Sequence, residues 1–226
     1  GLQRVALEFA HRFAPIDDRH IRQCARLAAG AQTERCSHVA VSFQKQRLPH
    51  SWHRKAFSRP HVLRQEDPAG MGRIWPQKLS LLAITNKSQT MHYIELGSDA
   101  VVIPAPAGDA SAAMILLPNA SGIEYADFVL DPQSQDGLIR DIGSIEPPVA
   151  RGAAWTTLWE EVQEGRLAAG LYLDTALREL PAEQNELIIN RVLGTLDESY
   201  WLRLDTQARL AVSGPLEAML WREVES

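Results

Sequence analysis

The chain has 226 residues, 45% of them apolar and 23% charged, with a formal net charge of −5. That is the composition of an ordinary soluble globular protein, long enough to bury one large core or two small ones. No run of 18 apolar residues occurs, which excludes a membrane-spanning helix.

The first part of the chain, residues 1 to 59, is predicted to be mostly helical. Leu2, Val5, Ala6, Phe9 and Phe13 recur at three- and four-residue steps, the period of an amphipathic helix. Pro15 ends that run, and Asp17 or Asp18 can cap a second helix through Ile21, Ala25 and Ala28, stopping near Gly30. His38–Phe43 reads equally as strand or helix, and Pro49-His50-Ser51-Trp52 starts another brief helical turn. The chain opens Gly1-Leu-Gln-Arg4, with no charged segment leading into an apolar one, so no signal peptide is expected there. Because Gly1 is not an initiator methionine, a processed or truncated segment is expected.

Two cysteines, Cys24 and Cys36, could be set beside His50 and His53 as a zinc site, but the spacing fails. A finger needs paired cysteines two to four apart and paired histidines with three to five residues between. Buried or half-buried thiols and surface histidines are the better reading. Charge is uneven: residues 1–73 carry 13 Lys/Arg against 6 Asp/Glu, and residues 74–226 carry 10 against 22. The basic residues are scattered singly, except for Arg54-Lys55, and the aromatics among them lack the spacing of a stacking platform. A solvated basic face is expected, with no nucleic-acid partner and no membrane partner.

Residues 60–130 change character. Pro60, Pro68, Gly70, Gly72, Pro76, Gly97 and Pro118 punctuate short apolar runs, a strand-and-turn composition. Strands are predicted at 61–64, 78–85, 90–96, 100–103, 112–117 and 125–130, with Asn86-Lys-Ser-Gln89 as a hairpin loop between the second and third. Six short strands at this spacing predict a small antiparallel β-sandwich.

Residues 131–226 are predicted to be helical. Asp131-Pro132 supplies an N-cap and a first-turn proline ahead of Leu138, Ile142 and Ile145. Pro147-Pro148 restarts the chain into a helix carrying Trp155, Leu158, Trp159 and Val162, ending at Gly165. Three more helices follow, marked by Leu173, Ala176, Leu177 and Leu180, then Ile189, Val192, Leu193 and Leu196, then Leu216, Met219 and Leu220. Short connections predict an antiparallel αα-stack. Helix pairs of roughly 35 residues suggest an irregular solenoid without a fixed repeat. The fold class is therefore α+β and multidomain: a helical segment (1–59), a β-sandwich domain (60–130) and an α-helical domain (131–226).

No chemistry-bearing motif emerges, and no catalytic, cofactor-binding or metal-ligating residue is assigned. None of the seven histidines is followed by Glu, so H-E-x-x-H is absent, as is Gly-x-Met-Glu-Asn. There is no G-x-S-x-G elbow and no phosphate loop; Gly70-Met71-Gly72 reads as a hairpin turn. Glu160-Glu161 and Asp17-Asp18 are adjacent pairs pointing about 100° apart on a helix, hence solvated faces. Trp155 and Trp159 read as core, and Trp75 as a strand-start side chain covering the sandwich edge. Asn86-Lys-Ser88 and Asn119-Ala-Ser121 fit the N-glycosylation sequon, a pattern too common to decide anything alone.

Several segments taken together resemble the C-terminal, non-catalytic part of zinc aminopeptidases of the aminopeptidase N family, over about residues 51–226. Ser51-Trp52 to Phe57 with Arg59-Pro60 is similar to the helix ending the peptidase domain, and Gln65–Leu79 to the first hairpin of its β-sandwich. Leu116-Leu-Pro-Asn119 with Gly122 and Tyr125 resembles the lead into the C-terminal helices, though with one glycine where related chains often have more. Glu183–Leu187, Leu193–Leu196 and Trp201 resemble the helical domain of bacterial members. The resemblance implies a chain that buttresses and caps the peptidase domain of the same polypeptide, with zinc and peptide substrates belonging to that domain. The chain alone, lacking H-E-x-x-H, is expected to be inactive, soluble, and periplasmic or cytoplasmic. The alternative is a free-standing peptide- or protein-interaction module built on a helical stack.

Overall fold

A computed structural model of the chain describes residues 40–45, 61–103 and 115–225. The expected N-terminal helices, Asp17-Asp18, Cys24, Cys36, His50, His53, and residues 112–114 of the fifth predicted strand lie outside those residues. The described part is α+β, with seven strands followed by five α-helices. It divides into two compact units between Glu161 and Val162.

The first unit holds the strands β1 (Ala40–Lys45), β2 (His61–Glu66), β3 (Gln77–Ile84), β4 (Gln89–Leu96), β5 (Ala100–Ile103), β6 (Ile115–Pro118) and β7 (Asp127–Val129). They form a four-stranded sheet in the order β5-β2-β1-β7 and a three-stranded sheet in the order β4-β3-β6. One hydrophobic cluster draws Leu63, Ile103 and Phe128 from the first sheet and Leu79, Leu81, Ala83, Ile94, Leu96 and Leu116 from the second. Each of the Leu, Ile and Phe side chains, removed from water, contributes roughly 1.5–3 kcal/mol. The segment left open between strand and helix is β1, which pairs antiparallel with β2 and parallel with β7. All other pairings are antiparallel, so the expected all-antiparallel arrangement is corrected at this one junction.

A second correction concerns Gln65–Leu79, expected as a hairpin. β2 pairs with β1 and β5, whereas β3 pairs with β4 and β6, so the stretch carries the chain from one sheet to the other. The true hairpin is β3–β4, closed at Thr85–Ser88 by a Thr85 N–H donating to Ser88 O at 2.9 Å. β3 is buried on both faces from Leu79 to Ile84, which is why every residue there but Ser80 is apolar, with no alternation.

Helix α1 (Pro132–Asp141) packs along β6, the edge strand of the three-stranded sheet. Asp131 is its N-cap, accepting from the N–H groups of Gln133 (3.0 Å) and Ser134 (3.2 Å), with Pro132 at the start. A Cβ on Gly137 would fall 2.4 Å from Ile115, so only glycine admits this approach. A 3₁₀ turn at Ile142–Ser144 follows, then α2 (Pro148–Gln163), which ends before the left-handed Gly165. Leu138, Ile142, Ile145, Trp155, Leu158, Trp159 and Val162 are all buried, as their periodicity predicts.

In the second unit, α3 (Ala169–Glu179) packs against α4 (Glu186–Glu198) and α5 (Thr206–Glu225). Asn185 caps α4, accepting from Leu187 N at 3.0 Å and Ile188 N at 3.3 Å. A π-helical turn, Ser199–Arg203, ends α4; there Tyr200 meets Trp201 edge-on, ring centres 4.9 Å apart. Pro215 sits inside α5 and lacks the N–H that would bond Ala211, and the buried Leu216, Met219 and Leu220 follow it at once. Of the described apolar residues expected to face the core in this unit, Leu177 alone is only half-buried.

Candidate functional site

A concave feature lies in the first unit. It is a pocket of about 490 Å³ floored by Ile84 and Ile115 and walled by the β3–β4 tip, the last turn of α1 and the segment Ser144–Glu146. One side chain joins two of these walls. Gln89 donates from Nε2 to Ser144 O at 2.7 Å and accepts the Glu146 N–H on Oε1 at 3.1 Å, completing both halves of its carboxamide. The tip is held from within by Thr85, whose Oγ1 accepts the N–H groups of Lys87 (3.2 Å) and Ser88 (3.0 Å).

Charges of both signs line the pocket: Lys87 and Arg140 against Asp141 and Glu146. Arg140 Nε lies 3.1 Å from the Asp141 carboxylate, an exposed contact between chain neighbours. The lining contains no histidine and no cysteine, and its hydroxyls at Thr85 and Ser88 face each other at 3.2 Å. Such a surface can hold a small polar group; it has no imidazole to activate a nucleophile. Among the described residues, no three His, Cys, Asp or Glu side chains come together to hold a metal ion. The zinc that the resemblance implies for a peptidase domain finds no fitting ligand set among them.

The polar groups that are strongly organised serve the backbone. Asp67 accepts from Ala69 N (3.0 Å), Met71 N (3.1 Å) and Arg73 N (3.2 Å), and takes a two-pronged contact from the Arg73 guanidinium at 2.9 and 2.8 Å. The hydrogen bonds from Arg73 foremost hold the Asp67 carboxyl far below the usual carboxylate range. Gly70 and Gly72, both at positive φ, let the chain curl round this carboxylate. The two glycines thus belong to a turn between sheets, with no room needed for a phosphate. Arg73 then lies over Trp75, 5.0 Å from its ring centre, and Trp75 N–H donates to the buried Gln65 at 3.0 Å. Trp75 precedes β3 instead of starting it, and is half-buried.

Glu124 organises the turn after β6. Its carboxylate accepts from Ser80 N at 2.6 Å, Ser121 Oγ at 2.8 Å and Ile123 N at 3.3 Å, while its own N–H donates to Asn119 Oδ1 at 3.1 Å. Burial would raise its pKa, but these donors outweigh that and lower it. Glu161, expected on a solvated face, is instead buried: it accepts from Leu130 N at 3.3 Å and from Gln135 Nε2 at 2.8 Å. The correction has a plain cause, because Glu161 shares the buried side of α2 with Leu158, whereas Glu160 is half-exposed. Trp155 and Trp159 are core, as expected.

Sequence reading passed over Asp67, Glu124 and Gln65 as contributors. Only Asp67 carried a readable signal, since Asp-Pro-Ala-Gly is a type I turn pattern and Gly70 N–H does donate to Asp67 O at 2.8 Å. No helix among the described residues is long and apolar enough to cross a membrane. No protein-family model matches the chain, and a search of curated proteins returns no match.

Proposed function

We propose that this chain is the non-catalytic C-terminal portion of a zinc aminopeptidase-like protein, a β-sandwich and the start of a helical domain that buttress and cap a peptidase domain. The observation that supports this reading is the order of the parts, two small β-sheets followed by helices. Leu116–Tyr125 runs from β6 to β7 and, like Gln65–Leu79, carries the chain from one sheet to the other, where the resemblance implied a hairpin at Gln65–Leu79. Both are held by carboxylates, Asp67 and Glu124, that accept from backbone amides and from the side chains of Arg73 and Ser121 respectively. A scaffold needs rigid junctions of this kind, and a helical cap restricts water and bulky chains at a cleft whose metal does the bond cleavage.

The test joins the chain to its partner. The full reading frame should encode H-E-x-x-H upstream, and the longer protein should release aniline from aminoacyl-anilides in a chelator-sensitive way. The present chain alone should neither do so nor carry stoichiometric zinc. Chelator-sensitive turnover by residues 1–226 alone would reject the proposal.

The second reading, an independent interaction module, draws on the helical unit, where Leu187 and Leu210 are 79% and 73% exposed. A reading frame lacking any peptidase motif would favour it.

A further inference from the structure

Two sequons occur in the described part of the chain, and the structure treats them differently. Asn86 stands at the tip of the β3–β4 hairpin, exposed, and among the described residues its carboxamide makes no hydrogen bond. Ser88, two residues on, is exposed as well, its hydroxyl meeting, among the described residues, the Thr85 hydroxyl alone at 3.2 Å. The turn does not depend on either side chain. It is held by Thr85, through the backbone bond to Ser88 O and the acceptance of two amides on Oγ1.

The other sequon is used up by the fold. Asn119 sits in the left-handed region at φ 55°, half-buried, and its Oδ1 accepts the Glu124 N–H at 3.1 Å. The Ser121 hydroxyl donates to the Glu124 carboxylate at 2.8 Å, and the Ser121 N–H donates to Ser80 Oγ at 2.7 Å. An enzyme that glycosylates asparagine must take the carboxamide and the hydroxyl two residues on into its own site. At Asn119 that means dismantling the turn after β6; at Asn86 it means displacing water.

We infer that Asn86 is the N-glycan acceptor of the folded chain and that Asn119 is not. The transfer is a displacement in which Asn86 Nδ2 forms a C–N bond to the anomeric carbon of a lipid-pyrophosphate-linked glycan. The anomeric C–O bond breaks, the lipid pyrophosphate leaves with the electron pair, and the amide gives up one proton. The glycan so placed rises from the rim of the pocket described above, of which Asn86 is a lining residue.

The test uses the folded chain with a purified single-subunit oligosaccharyltransferase and its lipid-linked glycan, read by intact mass and by peptide mapping after glycosidase. One glycan per chain, on the peptide containing Asn86, is expected. Asn86→Gln and Ser88→Ala should each abolish it, Asn119→Gln should leave it in place, and Ser88→Thr should preserve it. Because Asn86 is exposed and unbonded, N86Q folds as the parent does. A glycan on Asn119, a glycan persisting in N86Q, or no glycan on the folded parent chain would each overturn the inference.

Discussion

The Ser134 hydroxyl donates to the Asp131 carboxylate and at the same time accepts the Leu116 N–H, at 2.9 Å in the latter contact. The N-cap of α1 is thereby tied to the outer edge of β6, with every atom in the relay buried or nearly so. Helix start and strand edge each leave orphan donors, and one aspartate–serine pair serves both.

Replacing Ser134 by Ala should cost about 1–3 kcal/mol, because it leaves the buried Leu116 N–H without an acceptor. Asp131→Ala should cost about 0.5–2 kcal/mol for loss of the cap. The double variant should be less destabilised than the sum, since the two residues share one network. Urea unfolding of the three variants measures this; strict additivity would contradict the relay.

Gly137→Ala is the second case. Helix propensity alone would favour alanine by about 1 kcal/mol. The added Cβ would lie 2.4 Å from Ile115, so overpacking should win and the variant should lose about 1–3 kcal/mol. Thermal melts would read this as a lower Tm, and Ile115→Val in the same background should recover part of the loss.

Tyr172 gives a pH dependence. Its hydroxyl is buried against Thr195 Oγ1 at 2.6 Å; Thr195 donates onward to Val192 O at 2.7 Å, so Tyr172 is the donor of the pair. Burial, chiefly, raises its pKa above the ordinary value of 10.0. The unfolded chain therefore loses this proton first as pH rises. The associated stability is complete below the ordinary tyrosine value and falls as pH climbs above it. Tyr172→Phe should cost about 1 kcal/mol at neutral pH and flatten the alkaline fall in stability, both measurable by urea unfolding across pH.

Asp67→Asn addresses the connection between sheets. The depressed Asp67 pKa means that its contribution is present throughout the range above the ordinary carboxylate value. It is lost only as pH falls through the much lower folded value. The amide variant loses the ionic contact to Arg73 at every pH, so trypsin should cut after Arg73 faster in the variant than in the parent chain. Equal cleavage rates would mean that the glycine-containing turn holds itself.

The regular elements of the described part were legible because their burial is one-sided or their caps are explicit. Asp131-Pro132, Gly165 and the Trp155–Val162 stripe announced α1 and α2 in advance. What escaped was long-range. Gln65–Leu79 has the composition of a hairpin, and nothing local to it records that β2 and β3 find partners in different sheets. The β1–β7 pairing joins segments far apart in sequence. Glu161 looked like one of two solvated acids because its partners, Leu130 and Gln135, come from the turn and helix before α2. The composition change at Asp131 marks where strands give way to helices. The division of packing comes later, at Glu161, since α1 rests on β6.

β3 has a neighbouring strand along each edge, contributes to the shared cluster, and is buried from Leu79 to Ile84. Its amide hydrogens accordingly have no fraying route to deuterium, and they trade only when the whole first unit opens. This strand is the slowest clock in that unit, and its exchange rate would give the free energy of opening directly, without denaturant.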